Sequence, residues 1–239
     1  MPSSSVRPDG SPALSRRRFL QFGGVALTAG ALAACDSDDP SVDLDDEAVV
    51  FDFADDFGVL NFAYAIEQLQ AAFYTTVVSA PPREAAETEV ETLAAIRDHE
   101  IAHRDFFRGA ITTAGSTPIP ALRLDLRTVD FTSLASILAT ARVLEDLSVA
   151  AYNGAGLLLQ DPDLLLIAGK IVSVEARHAT VIRDLLANDT AFAVGAEANP
   201  ATQAVDPATG FDASLSVAAV LEAAAPFFIA DLSAVNLSS

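Results

Sequence analysis

Four stretches of this chain carry apolar residues at helical spacing, and each is closed by residues that end helices. The first runs roughly from Phe57 to Ser79 and stops at Pro81-Pro82. The second begins near Arg83, with Glu84 and Glu87 in a first turn where acids favour the positive end of the helix dipole, and continues to about Thr113. From Gly115 to Thr132 the period disappears, and Pro118 and Pro120 predict a long connection. The third helix takes Thr132 or Ser133 as its cap and extends to about Leu159. Gln160-Asp161-Pro162-Asp163 predicts a short turn into the fourth, which ends near Asn188. Short loop, long connection, short loop is the wiring of a four-helix bundle with one crossover between helices 2 and 3, so residues 57–188 predict an all-α domain. Residues 189–239 hold Pro200, Pro207 and Gly210, then a short helical pattern from Ser214 to Ala224. They predict a C-terminal extension wrapped on the bundle, with no chemistry of its own.

Four glutamates interrupt the apolar faces of these helices. Glu67 shares its face with Leu60, Ala63, Ala71 and Tyr74, and Glu145 with Leu138, Ala141, Val149 and Tyr152. Glu175 lies among Ala168, Ile171, Ala179 and Ile182; Glu100 lies among Leu93, Ile96 and Phe107, beside Arg104. A lone carboxylate in such surroundings is costly or takes up a proton, and metal coordination removes that conflict. Glu100 and Glu175 each open a Glu-x-x-His sequence that ends at His103 and His178, which are two of the chain's three histidines. Residues three apart project from one helix face, so each motif brings an oxygen and a nitrogen to the same ion.

The two halves of the bundle repeat one another. Glu67 precedes Glu100 by 33 residues, Glu145 precedes Glu175 by 30, and Tyr74 and Tyr152 each follow the lone glutamate of their half by seven. The tyrosines read as neighbours of the ligands or as core residues. His99 points about 100° away from Glu100 around the helix and reads as a surface residue.

Composition adds limits. The formal charge is −19, from 33 acids against 14 bases, so nucleic acid is a poor partner for the protein body. Removing residues 1–34 would discard four arginines and one aspartate and leave −22. Those residues read as an address rather than as structure. Arg16, Arg17 and Arg18 followed by Phe19-Leu20 resemble a twin-arginine export signal, and the uncharged stretch after them ends in Leu32-Ala33-Ala34-Cys35, which resembles the lipobox of bacterial lipoproteins. Lipidation of Cys35 would anchor the protein at the cell envelope or periplasm; the other reading is an ordinary cleaved signal with an incidental cysteine. Cys35 is the only cysteine, so no disulfide forms within the chain. The acidic run from Asp36 to Asp46 reads as a flexible tether over residues 35–56. Twin-arginine export carries folded proteins, which suits a cofactor loaded before export.

From about Phe57 to Asn188 the chain resembles the ferritin-like superfamily, which includes bacterioferritin, rubrerythrin and manganese catalase, and the superfamily's ligand order is matched in full. The resemblance implies two metal ions. Glu67 and Glu145 would be terminal carboxylates, Glu100 and Glu175 would bridge, and His103 and His178 would each supply one nitrogen. Carboxylate and imidazole together suit iron or manganese, while the lack of thiolates argues against structural zinc. The leading expectation is a di-iron protein that consumes oxygen or peroxide or oxidises ferrous iron. A manganese pair with catalase-like chemistry and a non-catalytic envelope stress or scaffold protein are the alternatives. With no second cysteine the iron–thiolate module of rubrerythrin is absent, and with Met1 the only methionine so is the methionine-ligated haem of bacterioferritin. A lipid anchor and a long tail fit poorly with a closed storage cage, though they are compatible with an oligomer.

Overall fold

The computed structural model describes residues 48–187 and 209–237. Its first helix, α1 (Asp56–Ser79), starts where the Asp55 carboxylate accepts the backbone N–H of Phe57 at 2.9 Å. Neighbours cover α1 on nearly every side, which its largely apolar sequence allows. It packs chiefly on α2 (Glu87–Thr113), while α3 (Leu134–Ala155) packs on α4 (Pro162–Ala187); α1 meets α3 and α2 meets α4 to close the bundle. The all-α fold class and the crossover between the second and third helices stand as the periodicity implies.

Helix α2 begins at Glu87 rather than near Arg83. Ala85 turns back on the Pro82 carbonyl, and the Glu89 carboxylate caps the Ala86 N–H at 2.7 Å. Glu84, read as a first-turn acid, instead accepts the N–H of Leu134 at 2.8 Å and so fastens the first loop to the start of α3. Ser133 caps α3, which gives way at Gly156–Leu158 to a single 3₁₀ turn before the expected Leu159. The buried Asp56 carboxylate accepts the N–H groups of Gln160 and Asp161, joining the α3–α4 turn to the base of α1.

The long connection is held by polar side chains of α1. Asn61 accepts the Ile119 N–H at 2.8 Å, and Gln68 accepts from Leu122 while donating to the Pro120 carbonyl. Backbone groups that a prolyl-rich loop would leave unsatisfied thereby find partners.

The segment read as a flexible tether to residue 56 is shorter at its C-terminal end. Val49–Asp52 forms strand β1, paired in parallel with β2 (Leu232–Val235) in the register Val49↔Leu232. The reason lies in the alternation Val49, Phe51, Phe53 inward against Val50 and Asp52 outward; Phe51 and Phe53 both meet the ring of Phe62 edge-on. The C-terminal extension does dock on the bundle. Its helix α5 (Val217–Ala224), capped by Ser216, packs on α3, and Leu215 donates to the Ala150 carbonyl at 3.1 Å. Gly154 permits this approach, since a Cβ there would collide with the Leu215 carbonyl. Arg16, Arg17 and Cys35 lie outside the described residues. No described helix is long and apolar enough to cross a membrane.

Candidate metal centre

The four helices carry their six candidate ligands to the middle of the bundle. Helix α1 brings Glu67, α2 brings Glu100 and His103, α3 brings Glu145, and α4 brings Glu175 and His178. All four glutamates are fully buried, His178 is nearly so and His103 is partly exposed. The residues fall into two groups, Glu67, Glu100, His103 and Glu175 in one and Glu100, Glu145, Glu175 and His178 in the other, with ligand atoms in each group within 4.8 Å of one another. Glu100 and Glu175 belong to both.

These atoms approach without bonding. His103 Nδ1 lies 3.0 Å from Glu175 Oε1, 3.5 Å from Glu67 Oε2 and 3.9 Å from Glu100 Oε2. His178 Nδ1 lies 2.7 Å from Glu100 Oε1 and 3.6 Å from Glu145 Oε2. Yet both Nδ1 atoms, both oxygens of Glu100, and one oxygen each of Glu67, Glu145 and Glu175 lack a hydrogen bond of acceptable geometry. The contacts are close but off the N–H axis. Buried polar atoms are nearly always satisfied, so groups that converge this way answer to a shared partner. Hard carboxylate oxygens with one imidazole per group fit an iron or manganese ion.

The remaining carboxylate oxygens are held by the protein. Tyr74, on α1, donates to Glu145 Oε1 at 2.5 Å, and Tyr152, on α3, donates to Glu67 Oε1, so each tyrosine supports the glutamate of the opposite half. Burial first, then the facing Glu145 or Glu67 carboxylate, pushes each tyrosine well above its ordinary pKa, and both remain proton donors. Glu175 Oε2 accepts from Gln70 Nε2 at 3.3 Å and Ser148 Oγ at 3.1 Å. Glu100 has no such support.

Electrostatics show what the acids demand. Burial, followed by the Glu175, Glu145 and Glu67 charges, raises the Glu100 carboxyl well above its ordinary range. Burial also raises Glu145, against the pull of His178 and Tyr74. For His103 burial works downward, but the Glu175 and Glu67 carboxylates beside it outweigh burial and lift it to about 10. The raised carboxyl and imidazole values favour protons at these groups, and a metal bound here would have to displace them.

Three supporting residues escaped the sequence reading. Gln70 and Ser148, both fully buried, stand three residues after Glu67 and Glu145, so the repeat that pairs Tyr74 with Tyr152 also pairs them. That shared offset is the signal that could have found them. His99 is exposed, as expected, yet its ring stacks on His178 at 5.2 Å and 14°, with Nδ1 2.9 Å from His178 Nε2. Its angle around α2 turns it off the Glu100 face and toward α4, which a single-helix projection does not include. Next to Glu145, the buried Asp146 pairs with Arg183 and Arg142; burial raises its carboxyl to about 6 despite both guanidiniums.

No curated protein matches the chain. A family model for the ferritin-like domain matches residues 55–188, the span from the α1 cap through α4.

Proposed function

The chain belongs to the ferritin-like domain family, and from that premise we propose that it holds a pair of iron ions and uses them to oxidise ferrous iron or to consume oxygen or peroxide. The observation that carries this reading is the set of seven buried ligand atoms, from six residues on four helices, that converge without bonding to one another. In the proposal Glu67 and His103 would hold one ion and Glu145 and His178 the other. Glu100 and Glu175, members of both groups, would serve both ions. When bound, an iron pair supplies the electrons for reducing oxygen or peroxide.

The chain's own residues have separate tasks. Tyr152 and Tyr74 fix one oxygen of each terminal carboxylate and leave the other turned inward. Gln70 and Ser148 fix one oxygen of Glu175, while Glu100 keeps both of its oxygens uncommitted and is the carboxylate freest to change its mode of attachment.

We place the protein at the cell envelope, exported by the twin-arginine route through Arg16 and Arg17 and anchored by lipid at Cys35. The support is the order of motifs along residues 15–35.

Metal analysis of protein folded in the cytoplasm tests the reading. Less than one transition-metal ion per chain would sink it, and manganese in place of iron would redirect it to catalase-like chemistry. With iron bound, ferrous iron and oxygen should produce ferric absorbance faster than in buffer, and Glu100→Ala with Glu175→Ala should abolish the acceleration. Equal rates in wild type and variant would leave a binding or scaffold role.

A further inference from the structure

A cavity of about 20 Å³ lies between α1, α2, α3 and α4, at the end of the bundle where α3 turns into α4. Its walls include Leu60, Ala63, Phe107, Tyr152, Ala155 and Ile167. Tyr152 belongs to the lining and its hydroxyl is committed to Glu67, so a single side chain touches both the space and a candidate ligand. Toward α4 the lining reaches Ile167 and Ala168, which are only partly buried and form the outer edge.

Resting on the redox reading above, we propose that this cavity is a binding site for dioxygen, staged beside the Glu67 side of the centre. Size and polarity together select the occupant. A buried water needs two to four polar partners, and the one polar side-chain group in the lining, the Tyr152 hydroxyl, is already engaged. Hydrogen peroxide, with two hydroxyl groups, meets the same objection. An aromatic ring needs a cavity of roughly 150 Å³, so only a small body fits. A nonpolar diatomic molecule satisfies both limits. The same argument favours oxygen over peroxide as the oxidant that reaches the centre by this route.

The test uses the full-length protein, metal-free, with dioxygen itself as the probe. Under raised oxygen pressure the methyl groups of Ala63, Ala155 and Ile167 should show paramagnetic relaxation several-fold stronger than those of Ile137 and Ile182, which are buried in the core away from this lining. Equal relaxation at both sets overturns the site. Ala168→Leu narrows the outer edge; Ile167→Phe does so independently should the first variant misfold. Either should weaken the oxygen effect at Ala63 and Ala155. With iron content unchanged, either should also slow oxygen-dependent oxidation about threefold or more while sparing the peroxide-dependent rate. Unslowed oxidation in a variant that has lost the relaxation effect overturns the staging role. If the wild type binds iron but never oxidises it, the redox reading fails, and the relaxation data alone decide whether the cavity takes oxygen.

Discussion

The α1–α2 half and the α3–α4 half carry the same ligand types in the same order but differ in what supports them. Each half contributes a lone glutamate, a tyrosine seven residues later and a Glu-x-x-His on its second helix. In the α3–α4 half, Glu175 is tied down by Gln70 and Ser148, and His178 is deeply buried with His99 against its outer nitrogen. In the α1–α2 half, Glu100 has neither oxygen tied and His103 is partly exposed. A duplicated ligand set can therefore be held unequally in its two halves. The inequality comes from residues that hold the ligands rather than from the ligands.

The sharpest way to break this comparison is to replace the two shared carboxylates one at a time. Glu100→Met and Glu175→Met should both lose the bound metal, measured after desalting. Their metal-free stabilities should then part. Glu100→Met removes a buried acid that no hydrogen-bond donor supports and should raise the melting temperature of the metal-free fold. Glu175→Met strands the Gln70 and Ser148 donors and forfeits about 1–3 kcal/mol of any such gain. Equal melting of the two variants would erase the asymmetry.

Titration extends the comparison to both halves. Glu100, Glu145 and His103 all bind protons more tightly in the folded chain, and Asp146 does too. A raised folded pKa contributes stability that is present below the unfolded value and lost as pH rises through the folded one. For Asp146 the loss spans 3.8 to about 6, and for His103 6.5 to about 10. Metal-free protein should accordingly melt lower at about pH 9 than at about pH 6, while metal affinity rises over the same range as protons are displaced. Chemical denaturation at the two pH values, with and without metal, checks both signs.

A smaller effect separates the two positions. His99→Phe keeps a ring against His178 but removes its hydrogen-bond partner, and should weaken one of the two ions about tenfold while leaving the other unchanged. Metal titration showing equal weakening of both would assign His99 to general packing. Smallest should be Tyr74→Phe and Tyr152→Phe, each costing about 1 kcal/mol as one glutamate oxygen loses its donor. Because the tyrosines cross between halves, each variant should disturb the ion held by the opposite helix pair.

Much of this was legible along the chain. Apolar periodicity located the four helices because each buries a wide face, and the acids stood out because their helical neighbours are apolar. What escaped depends on partners distant in sequence. Glu84 looks like any first-turn acid until α3 arrives to use it, and His99 is exposed on its own helix while lying against another. Gln70 and Ser148 were repeated at the same offset, but uncharged polar residues inside helices attract little notice. The β1 strand was hidden by the acidic run before it, although Val-Val-Phe-Asp-Phe alternates as a half-buried strand does.

The parallel pairing of β1 with β2 has a consequence for how the protein is made. Val49 donates to the carbonyl of Asp231, and Phe53 to that of Val235, so the strand before the first helix is completed by residues 231–235. During synthesis the four long helices can leave the ribosome and pack while β1 still has no neighbour to pair with. Only a chain translated past Val235 supplies one, and contacts of such long range are slow to form. A product that stopped short of β2 could assemble its bundle but would leave the inward-facing Val49 and Phe51 on a segment without its cross-strand partner.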